Sequence, residues 1–409
     1  MKPQRLYLLI LLMAGMACLC PVSMPPGLTP AATEAPPAAS PGAGVLPTTP
    51  PEPTVISPYQ ASGVVVDSGH GLSFYDRQGQ GWIIDMPLQG ATYSSPANVH
   101  LAGNYLAGLP AVPIIYYSME KNESLMLRNA DGQVTPLVGA SGFTAMAGAP
   151  GLPAFAYATM DFQGNTTYSY LYTGTLASLP AEPALTNADD TEGWAIKPLA
   201  LKAENYQPAG VWYTTFPWGI GGDIVFEPRK GLYYLDLTTG TTTEILGKDM
   251  NPSSLSFDQT WAAYASETFG SGPMTLRNLQ TGASVTFPLL PAADQRGAGD
   301  GVISPGNQYV AWMEGSGWQM AEAPNFHATV RVGDMNGNVV AEFPDSTLAG
   351  VSGLSKVGYV EPVGWCDDQT LILQVRGEVW DQVMLIRASI PDKALSYLAS
   401  GAFIAFLYP

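Results

Sequence analysis

The chain has few cysteines, few histidines and few basic residues. Its 409 residues include three cysteines, three histidines and 17 Lys and Arg, against 34 Asp and Glu, so the formal net charge is −17. An electrostatic field of this sign repels phosphate backbones. We therefore expect no nucleic-acid partner.

The cysteines leave no pair for a disulfide in the later part of the chain. Cys18 and Cys20 lie near the N-terminus, and Cys366 is the only other cysteine. Stability must then come from core burial and strand pairing rather than from disulfides. No histidine lies within fifteen residues of Cys366, so we predict a buried thiol rather than a nucleophile.

Motifs for metal binding and for common catalytic chemistry are also missing. The three histidines, His70, His100 and His327, are isolated in sequence, and the acidic run at residues 187–193 lacks the spacing of a calcium loop. The chain has neither the Gly-x-Ser-x-Gly turn of serine hydrolases nor a glycine-rich phosphate loop. We expect no metal and no other cofactor.

The N-terminal 20 residues have the layout of an export signal. Basic residues precede an apolar run, residues 6–14, that is too short to cross a bilayer as a helix. The segment resembles a bacterial lipoprotein signal, because the small residue Ala17 precedes Cys18, which we predict to be lipidated. Gly15 stands where such signals usually carry leucine. The alternative is therefore that an ordinary signal peptidase cleaves after Ala17 and the protein is secreted without a lipid.

The next segment has the composition of an extended spacer. Twelve prolines lie between residues 21 and 58, among Ala, Thr, Ser and Gly. Such a segment buries too little apolar surface to fold, and its prolines keep it extended. We predict a signal peptide at residues 1–17, a disordered tether at 18–60 and a folded domain at 61–409.

The folded part reads as many short strands, and we find no convincing amphipathic helix after residue 62. The stretch GLYYLDLTTGTTTEIL, residues 231–246, is typical of a strand, a tight turn and a returning strand. Asp236 can accept hydrogen bonds from turn amides, and Gly240 can adopt a positive φ. We interpret the stretch as a repeating structural unit rather than as a binding site.

Looser copies of this hairpin recur along the chain. Turn glycines at positions 79, 132, 240, 282 and 337 are separated by 53, 108, 42 and 55 residues, and 108 is twice 54. One copy is therefore hidden within residues 168–179, and a last, altered copy carries Asp392 near its turn. Seven copies are predicted.

A second hairpin precedes several copies, at residues 255–266, 301–314 and 363–375. The two hairpins make four strands per period, which is the content of one β-propeller blade. The repeats resemble those of TolB-like bacterial β-propellers, with the closest matches at Ser304-Pro305-Gly306 and at Asp236 with Thr239-Gly240. The resemblance implies a fold and no catalytic residue. TolB works with envelope proteins and has an extra domain before its propeller, so its specific role does not transfer to this chain.

The fold class that we predict is all-β, a propeller of seven four-stranded blades; six or eight blades remain the alternatives. The first period supplies only three strands, and a further strand follows the last full blade. Because unpaired edges would otherwise face each other, we predict that residues 403–407 pair with residues 63–66 and close the ring.

Three long loops are expected on one face of the propeller, at residues 187–206, 291–300 and 314–327. They carry aromatic rings for binding and polar groups beside them: Trp194, Trp318, Phe326, Asp189, Asp190, Asp294, Arg296 and His327. The alternative is that these aromatic rings pack beneath their own loops. Three other tryptophans should lie in the core: Trp261, Trp312 and Trp365.

These patterns favour a monomeric, exported protein. It is expected to be either anchored by lipid at the cell surface or in the periplasm, or secreted. Its expected role is non-catalytic binding of an envelope protein or a surface glycan. A glycan hydrolase or lyase stays open, and would need two carboxylates converging in the channel mouth. A structural scaffold also stays open, and would need a broad apolar patch.

Overall fold

A computed structural model of the chain describes residues 60–68, 71–77, 79–83, 99–101, 113–129, 131–163, 166–189, 194–217, 230–265, 272–291, 296–317, 326–379 and 382–408. The chain divides into two compact units, Met1–Val55 and Ile56–Pro409, and all described residues belong to the second. The predicted signal peptide, Cys18 and nearly all of the predicted tether lie outside the described residues and stay predictions.

The described part forms seven four-stranded antiparallel sheets, numbered here as blades 1 to 7. Blade 1 contains β1 (Gly63–Asp67), β2 (Leu72–Asp76) and β3 (Gly81–Ile83). Blade 2 contains β4 (Val99–Leu101), β5 (Ile114–Ser118), β6 (Ser124–Arg128) and β7 (Val134–Gly139). Blade 3 contains β8 (Phe143–Gly148), β9 (Ala154–Gln163), β10 (Thr166–Thr175) and β11 (Leu185–Asp189). Blade 4 contains β12 (Trp194–Glu204), β13 (Gln207–Pro217), β14 (Lys230–Asp236) and β15 (Thr241–Leu246).

The remaining blades follow the same plan. Blade 5 contains β16 (Asn251–Leu255), β17 (Trp261–Ala265), β18 (Met274–Asn278) and β19 (Ser284–Thr286). Blade 6 contains β20 (Arg296–Ile303), β21 (Tyr309–Ser316), β22 (His327–Asp334) and β23 (Val339–Pro344). Blade 7 contains β24 (Tyr359–Asp367), β25 (Thr370–Arg376), β26 (Val383–Ser389) and β27 (Ala394–Ser400), and the last strand, β28 (Ala402–Leu407), joins blade 1.

The blades are arranged in a ring. In blade 1 the first strand of the sheet is β28. The first strands of neighbouring blades contact each other in the order β28, β4, β8, β12, β16, β20 and β24. The ring is closed by the contact between β26 of blade 7 and β28 of blade 1. The first strands therefore surround the centre, and the fourth strands lie at the rim. This arrangement confirms the predicted seven-bladed β-propeller.

The predicted closure of the ring is confirmed. β28 pairs antiparallel with β1, with Gly63 opposite Leu407 and Val66 opposite Phe403. A bulge between Val65 and Val66 shifts the register within this pairing. The strand that completes the first blade therefore comes from the end of the described chain.

The stretch that resembles the repeat most closely is the outer hairpin of blade 4. Asp236 ends β14, and its Oδ1 accepts hydrogen bonds from the N–H groups of Thr238 (2.8 Å) and Thr239 (3.0 Å). These bonds, chiefly those from Thr239 and Thr238, lower the pKa of Asp236. Gly240 has φ 69°, a conformation that glycine adopts without steric cost. The turn chemistry expected from the sequence is therefore present.

Blade 3 shows where the repeat was least well predicted. The hidden hairpin within residues 168–179 exists, but its returning strand begins only at Leu185. Thr175 forms an isolated bridge with Ser178, so the chain turns directly after β10. It then continues for several residues before β11 pairs with β10. The prediction of a long loop at residues 187–206 was wrong for most of its length, because the first strand of blade 4 occupies Trp194–Glu204.

The described part of the chain includes a helix that the sequence pattern did not predict. α1 (Asp345–Ser352) directly follows β23 and ends at Gly353, which has φ 75° and donates its N–H to the Ala349 carbonyl. Only Leu348 and Ser352 are buried in it. An eight-residue helix with two buried positions has no clear helical pattern of apolar residues, so the sequence carries no signal for it.

The core consists of clusters that lie within and between adjacent blades. The largest joins blades 6 and 7 and includes Leu348 of α1. Trp312 and Trp365 are buried, as predicted, and Trp261 is partly buried against the cluster between blades 5 and 6. Cys366 is buried and unpaired, and burial raises the pKa of its thiol to about 12, so it is an inert core residue.

Candidate functional site

Strand order places specific residues at one end of each blade. In blade 6, Arg296 is paired with Ser316, Ser316 is paired with His327, and Pro344 at the end of β23 lies opposite Thr329. In each blade, the first and third strands therefore begin at the same end of the ring at which the second and fourth strands finish. We call this end of the ring the site face.

Five of the eight predicted binding residues have side chains that are not described, and three of the five lie wholly outside the described residues. Asp190, Asp294 and Trp318 lie outside the described residues. Asp189 ends β11 and Trp194 begins β12, so the backbone of both lies at the site face; their side chains are the other two of the five. Asp189 pairs with Thr167, and Trp194 pairs with Pro217.

Phe326 has a packing role in the structure. Its side chain is 6% exposed and belongs to the core cluster of blades 6 and 7. The ring stacks on Tyr359 of blade 7, with ring centroids 6.4 Å apart and 26° between the planes. Phe326 is therefore a packed core residue rather than an exposed ring, which agrees with the alternative left open for the aromatic residues.

His327 is the exposed member of the predicted set. Its side chain is 69% exposed, and Nδ1 lies 2.9 Å from Oδ2 of Asp345, the first residue of α1. The pair is ionic only when the ring is protonated. The contact orients the imidazole and leaves most of its surface open to a ligand.

Arg296 lies at the start of β20 and is mostly covered. Its Nη1 is 3.5 Å from Oε1 of Glu314, and its Nη2 is 3.4 Å from Oγ of Ser316. Its Nε is buried, without a hydrogen-bond partner in the described part of the chain. Both contacts are long for hydrogen bonds, so the guanidinium keeps capacity to bind another acceptor.

A buried ionic network supports Arg296 from below. Glu314 is fully buried; its Oε2 accepts from Nη1 of Arg331 at 2.7 Å, and its Oε1 accepts from the Leu290 N–H at 2.7 Å. Arg331 also donates to Glu342 (3.0 Å) and to the Pro288 carbonyl (2.7 Å). Sequence reasoning missed this network, although a glutamate inside an apolar strand is a signal that it needs a buried partner.

The exposed apolar residues are unevenly distributed. Among the described residues, three large apolar side chains follow or end second strands and therefore lie at the site face: Met119 (54% exposed), Phe162 (47%) and Val379 (57%). They belong to blades 2, 3 and 7. Their separation around the ring does not make the broad single patch that a scaffold would need.

The central channel contains a cavity of about 280 Å³ toward the opposite end of the ring. First-strand residues of six blades line it, including Gly148, Leu201, Ser254, Val302, Trp365 and Phe406. Trp365 donates its Nε1–H to the Val302 carbonyl at 3.1 Å. Tyr408 packs on Phe257 with ring centroids 5.3 Å apart, and burial raises the pKa of Tyr408.

A smaller cavity of about 180 Å³ in the channel is lined by two acidic residues. Asp300 of blade 6 and Glu361 of blade 7 both line it. Asp300 has φ 53° at a bulge in β20 and accepts a hydrogen bond from the Tyr359 hydroxyl. Gln374 donates to Glu361 and accepts the Phe403 N–H at 2.9 Å. Neither carboxylate was singled out from the sequence, because the bulge that turns Asp300 inward has no local signature.

Within the described ranges, no group of three or more His, Cys, Asp or Glu side chains is placed to hold a metal ion. Over the same residues, no helix has both the length and the apolar character needed to cross a membrane.

No protein-family model matches the chain, and no curated protein matches it. Among solved structures, it is similar to TolB from Acinetobacter baumannii, at 14% identity and a TM-score of 0.39, over 83% of this chain and 80% of that chain. It is similar to an oligogalacturonate lyase in complex with manganese, at 14% identity and a TM-score of 0.45, over 74% and 78%. It is also similar to prolyl oligopeptidase B from Galerina marginata, at 9% identity and a TM-score of 0.48, over 83% and 48%. Similarities at this level carry no inference about function, which has to rest on the side chains of this chain.

Proposed function

We propose that the protein is an exported, non-catalytic binding module that recognises an envelope protein or a surface glycan at the site face. A lipid on Cys18 and the tether at residues 18–60 would hold the propeller off a membrane. The observation that carries the proposal is that exposed apolar side chains of three blades share this face with Arg296 and His327.

The chemistry of the face suits recognition. Met119, Phe162 and Val379 offer apolar contact area, and methionine and aromatic residues are enriched where proteins bind each other. His327 and Arg296 add donors for carboxylates, hydroxyls or amide oxygens. Because these residues lie at or beside the ends of paired strands, a ligand would order few of them on binding.

The charge of the protein adds selectivity. With a net charge of −17, most of the surface repels acidic partners. Arg296 is held beneath the face by the buried Glu314, so it offers a fixed cation in an acidic field. A partner with a carboxylate or another acceptor group opposite Arg296 would be recognised in a defined orientation.

The test compares binding by site-face variants. Purified protein is screened against a glycan array and against envelope proteins separated from a bacterial extract, and the captured ligand is then titrated. We expect Arg296→Ala, Trp194→Ala and Trp318→Ala each to weaken binding by at least about tenfold if the ligand spans the face.

The matched control lies at the opposite end of the ring. Tyr206, in the turn between β12 and β13, is 67% exposed and has φ 65°, so Tyr206→Asn removes an exposed ring and keeps a residue that tolerates this conformation. It should leave binding unchanged. Unchanged binding by all three site-face variants, or no ligand from either screen, would reject the proposal.

A glycan hydrolase or lyase is the second candidate, because Asp300 and Glu361 line one channel cavity. Acid–base cleavage of glycosidic bonds needs two carboxylates of this kind close together. The test is release of new reducing ends or unsaturated products from envelope polysaccharides. Activity that is lost in both Asp300→Asn and Glu361→Gln would establish this candidate, and no activity in the parent would remove it.

A further inference from the structure

A third cavity, of about 310 Å³, lies between blades 3 and 4. One wall is the rim strand β11 of blade 3, and the other is the sheet of blade 4. The cavity lies toward the site face, because Asn187 is two residues before the end of β11, Ile196 is two residues after the start of β12, and Lys248 follows β15.

Two tyrosines give this cavity an aromatic wall. Tyr213 and Tyr233 are opposite each other on β13 and β14, and their rings stack with centroids 5.3 Å apart and 20° between the planes. Tyr213 is buried, and Tyr233 is half-buried. Tyr213 hydrogen-bonds Thr242 and Tyr233 hydrogen-bonds Thr215, so both rings are fixed before a ligand arrives.

The facing wall offers polar groups that are not used elsewhere. Thr186 and Asn187 of β11 line the cavity. Their backbones pair with Tyr170 and Ser169 of β10, but no hydrogen bond joins either side chain to another residue in the described ranges. A hydroxyl, an amide N–H₂ and an amide oxygen are therefore available to a ligand.

The lining contains one charged group and no carboxylate. Lys248 is exposed at the cavity and forms no ion pair within the described part of the chain. Burial, and then the charge of Glu244 outside the lining, raise the pKa of Tyr233. In a chain with twice as many acidic as basic residues, a cavity lined this way is set up for a polar, uncharged ligand with many hydroxyl groups.

We propose that this cavity binds a single pyranose unit of a glycan, with the C–H face of the sugar against Tyr233 and its hydroxyls on Asn187, Thr186 and Lys248. Flat aromatic surface combined with hydroxyl and amide groups matches the two faces of a sugar ring. The inference rests on the proposed function in that it places a glycan ligand beside the site face.

The probes are the methyl glycosides of glucose, galactose, mannose and N-acetylglucosamine. Each is titrated against the full chain, with binding followed by saturation-transfer NMR and by tyrosine fluorescence. We expect at least one to bind the parent. Tyr233→Ala and Asn187→Ala should each weaken it by at least about tenfold.

The control is Tyr172→Ala in blade 3. Tyr172 is also half-buried and stacked on another tyrosine, Tyr157, at 4.9 Å, but it lines none of the three cavities described above. It should leave sugar binding unchanged. Near-ultraviolet circular dichroism checks that each variant is folded, and Asn187→Ala, which removes no core ring, keeps the test valid if Tyr233→Ala unfolds.

The outcomes separate this inference from the proposed function. If none of the four glycosides binds, or if both cavity variants bind as tightly as the control, the cavity is not a sugar site. Loss of site-face binding in the Arg296 and tryptophan variants, with the cavity variants unaffected, would leave the proposed function standing and reject only the sugar site.

Discussion

Val64 of the first strand lies opposite Phe406 of the last. The same closing strand is tied to blade 7, because the Phe403 N–H donates to the side chain of Gln374 at 2.9 Å. The Phe403 ring is buried and packs on Phe406 with centroids 4.8 Å apart. One short segment therefore holds together two blades that meet at the seam of the ring.

Deleting residues 401–409 should abolish cooperative unfolding of the domain. Without β28, the edge of β1 loses its pairing partner, and the core cluster that contains Phe403 is opened. Denaturant unfolding followed by near-ultraviolet circular dichroism measures this. A truncated protein with the midpoint and slope of the parent would contradict the role of the closing strand.

Gly401→Ala should destabilise the seam. Gly401 has φ 124°, and a Cβ there would lie 2.3 Å from the Asp67 carbonyl oxygen, so the backbone would have to move. The matched control is Gly350→Ala in α1, where a Cβ meets nothing within 4 Å and helix propensity favours alanine by up to about 1 kcal/mol. Thermal unfolding of both variants should give shifts of opposite sign.

Glu314→Gln should cost about 3–5 kcal/mol of unfolding free energy, because it removes the buried carboxylate partner of Arg331 and leaves only the exposed Glu342. The control is Glu204→Gln, since Glu204 forms an exposed pair with Lys202 at 2.9 Å, and such pairs contribute at most about 1 kcal/mol. Urea titrations of the two variants provide the comparison. Equal effects would show that the buried network adds nothing to stability.

His100 should make stability depend on pH. Burial lowers the pKa of His100 from 6.5 to about 4, despite a hydrogen bond to the Leu152 carbonyl at 3.0 Å. The unfolded chain binds the proton below pH 6.5 and the folded chain does not, so stability is full above pH 6.5 and is lost as pH falls toward 4. The loss is on the order of 3 kcal/mol.

His100→Gln removes this titration and keeps a side-chain donor for the carbonyl. Its stability should therefore fall less steeply than that of the parent between pH 6.5 and about 4. Val379→Gln, which replaces an exposed apolar side chain that does not titrate, serves as the control and should keep the slope of the parent. Parallel curves for the parent and His100→Gln would contradict the assignment.

The parts of the fold that follow from local chemistry were predictable. The turn at Asp236 and Gly240 is specified by neighbouring residues, and so are its copies, which together led to seven blades and to the closing strand. α1 was missed because its eight residues bury too few side chains to produce a period. The placement of Trp194 in a strand was missed because residues 187–206 are rich in polar residues and include Pro198, and proline argues against a strand.

The chemistry of the interior was less predictable, because it depends on contacts between blades. Asp300 and Glu361 are far apart in sequence and line one cavity only because first strands of neighbouring blades surround one channel. Phe326 was expected at the surface, yet its position next to β22 turns it onto Tyr359. The partners of Glu314 come from two other strands and a connecting segment, so no spacing along the chain encodes them.

The pairing of β1 with β28 also sets an order of events in time. A ribosome synthesises residue 63 more than three hundred residues before residue 407, and throughout that interval blade 1 is one strand short. Blades 2 to 7 can each assemble from contiguous chain as it emerges, but the blade that is made first can be finished only last. A chaperone or translocase that handles the emerging chain would therefore encounter one persistent open edge, on β1, until residues 402–407 have been made.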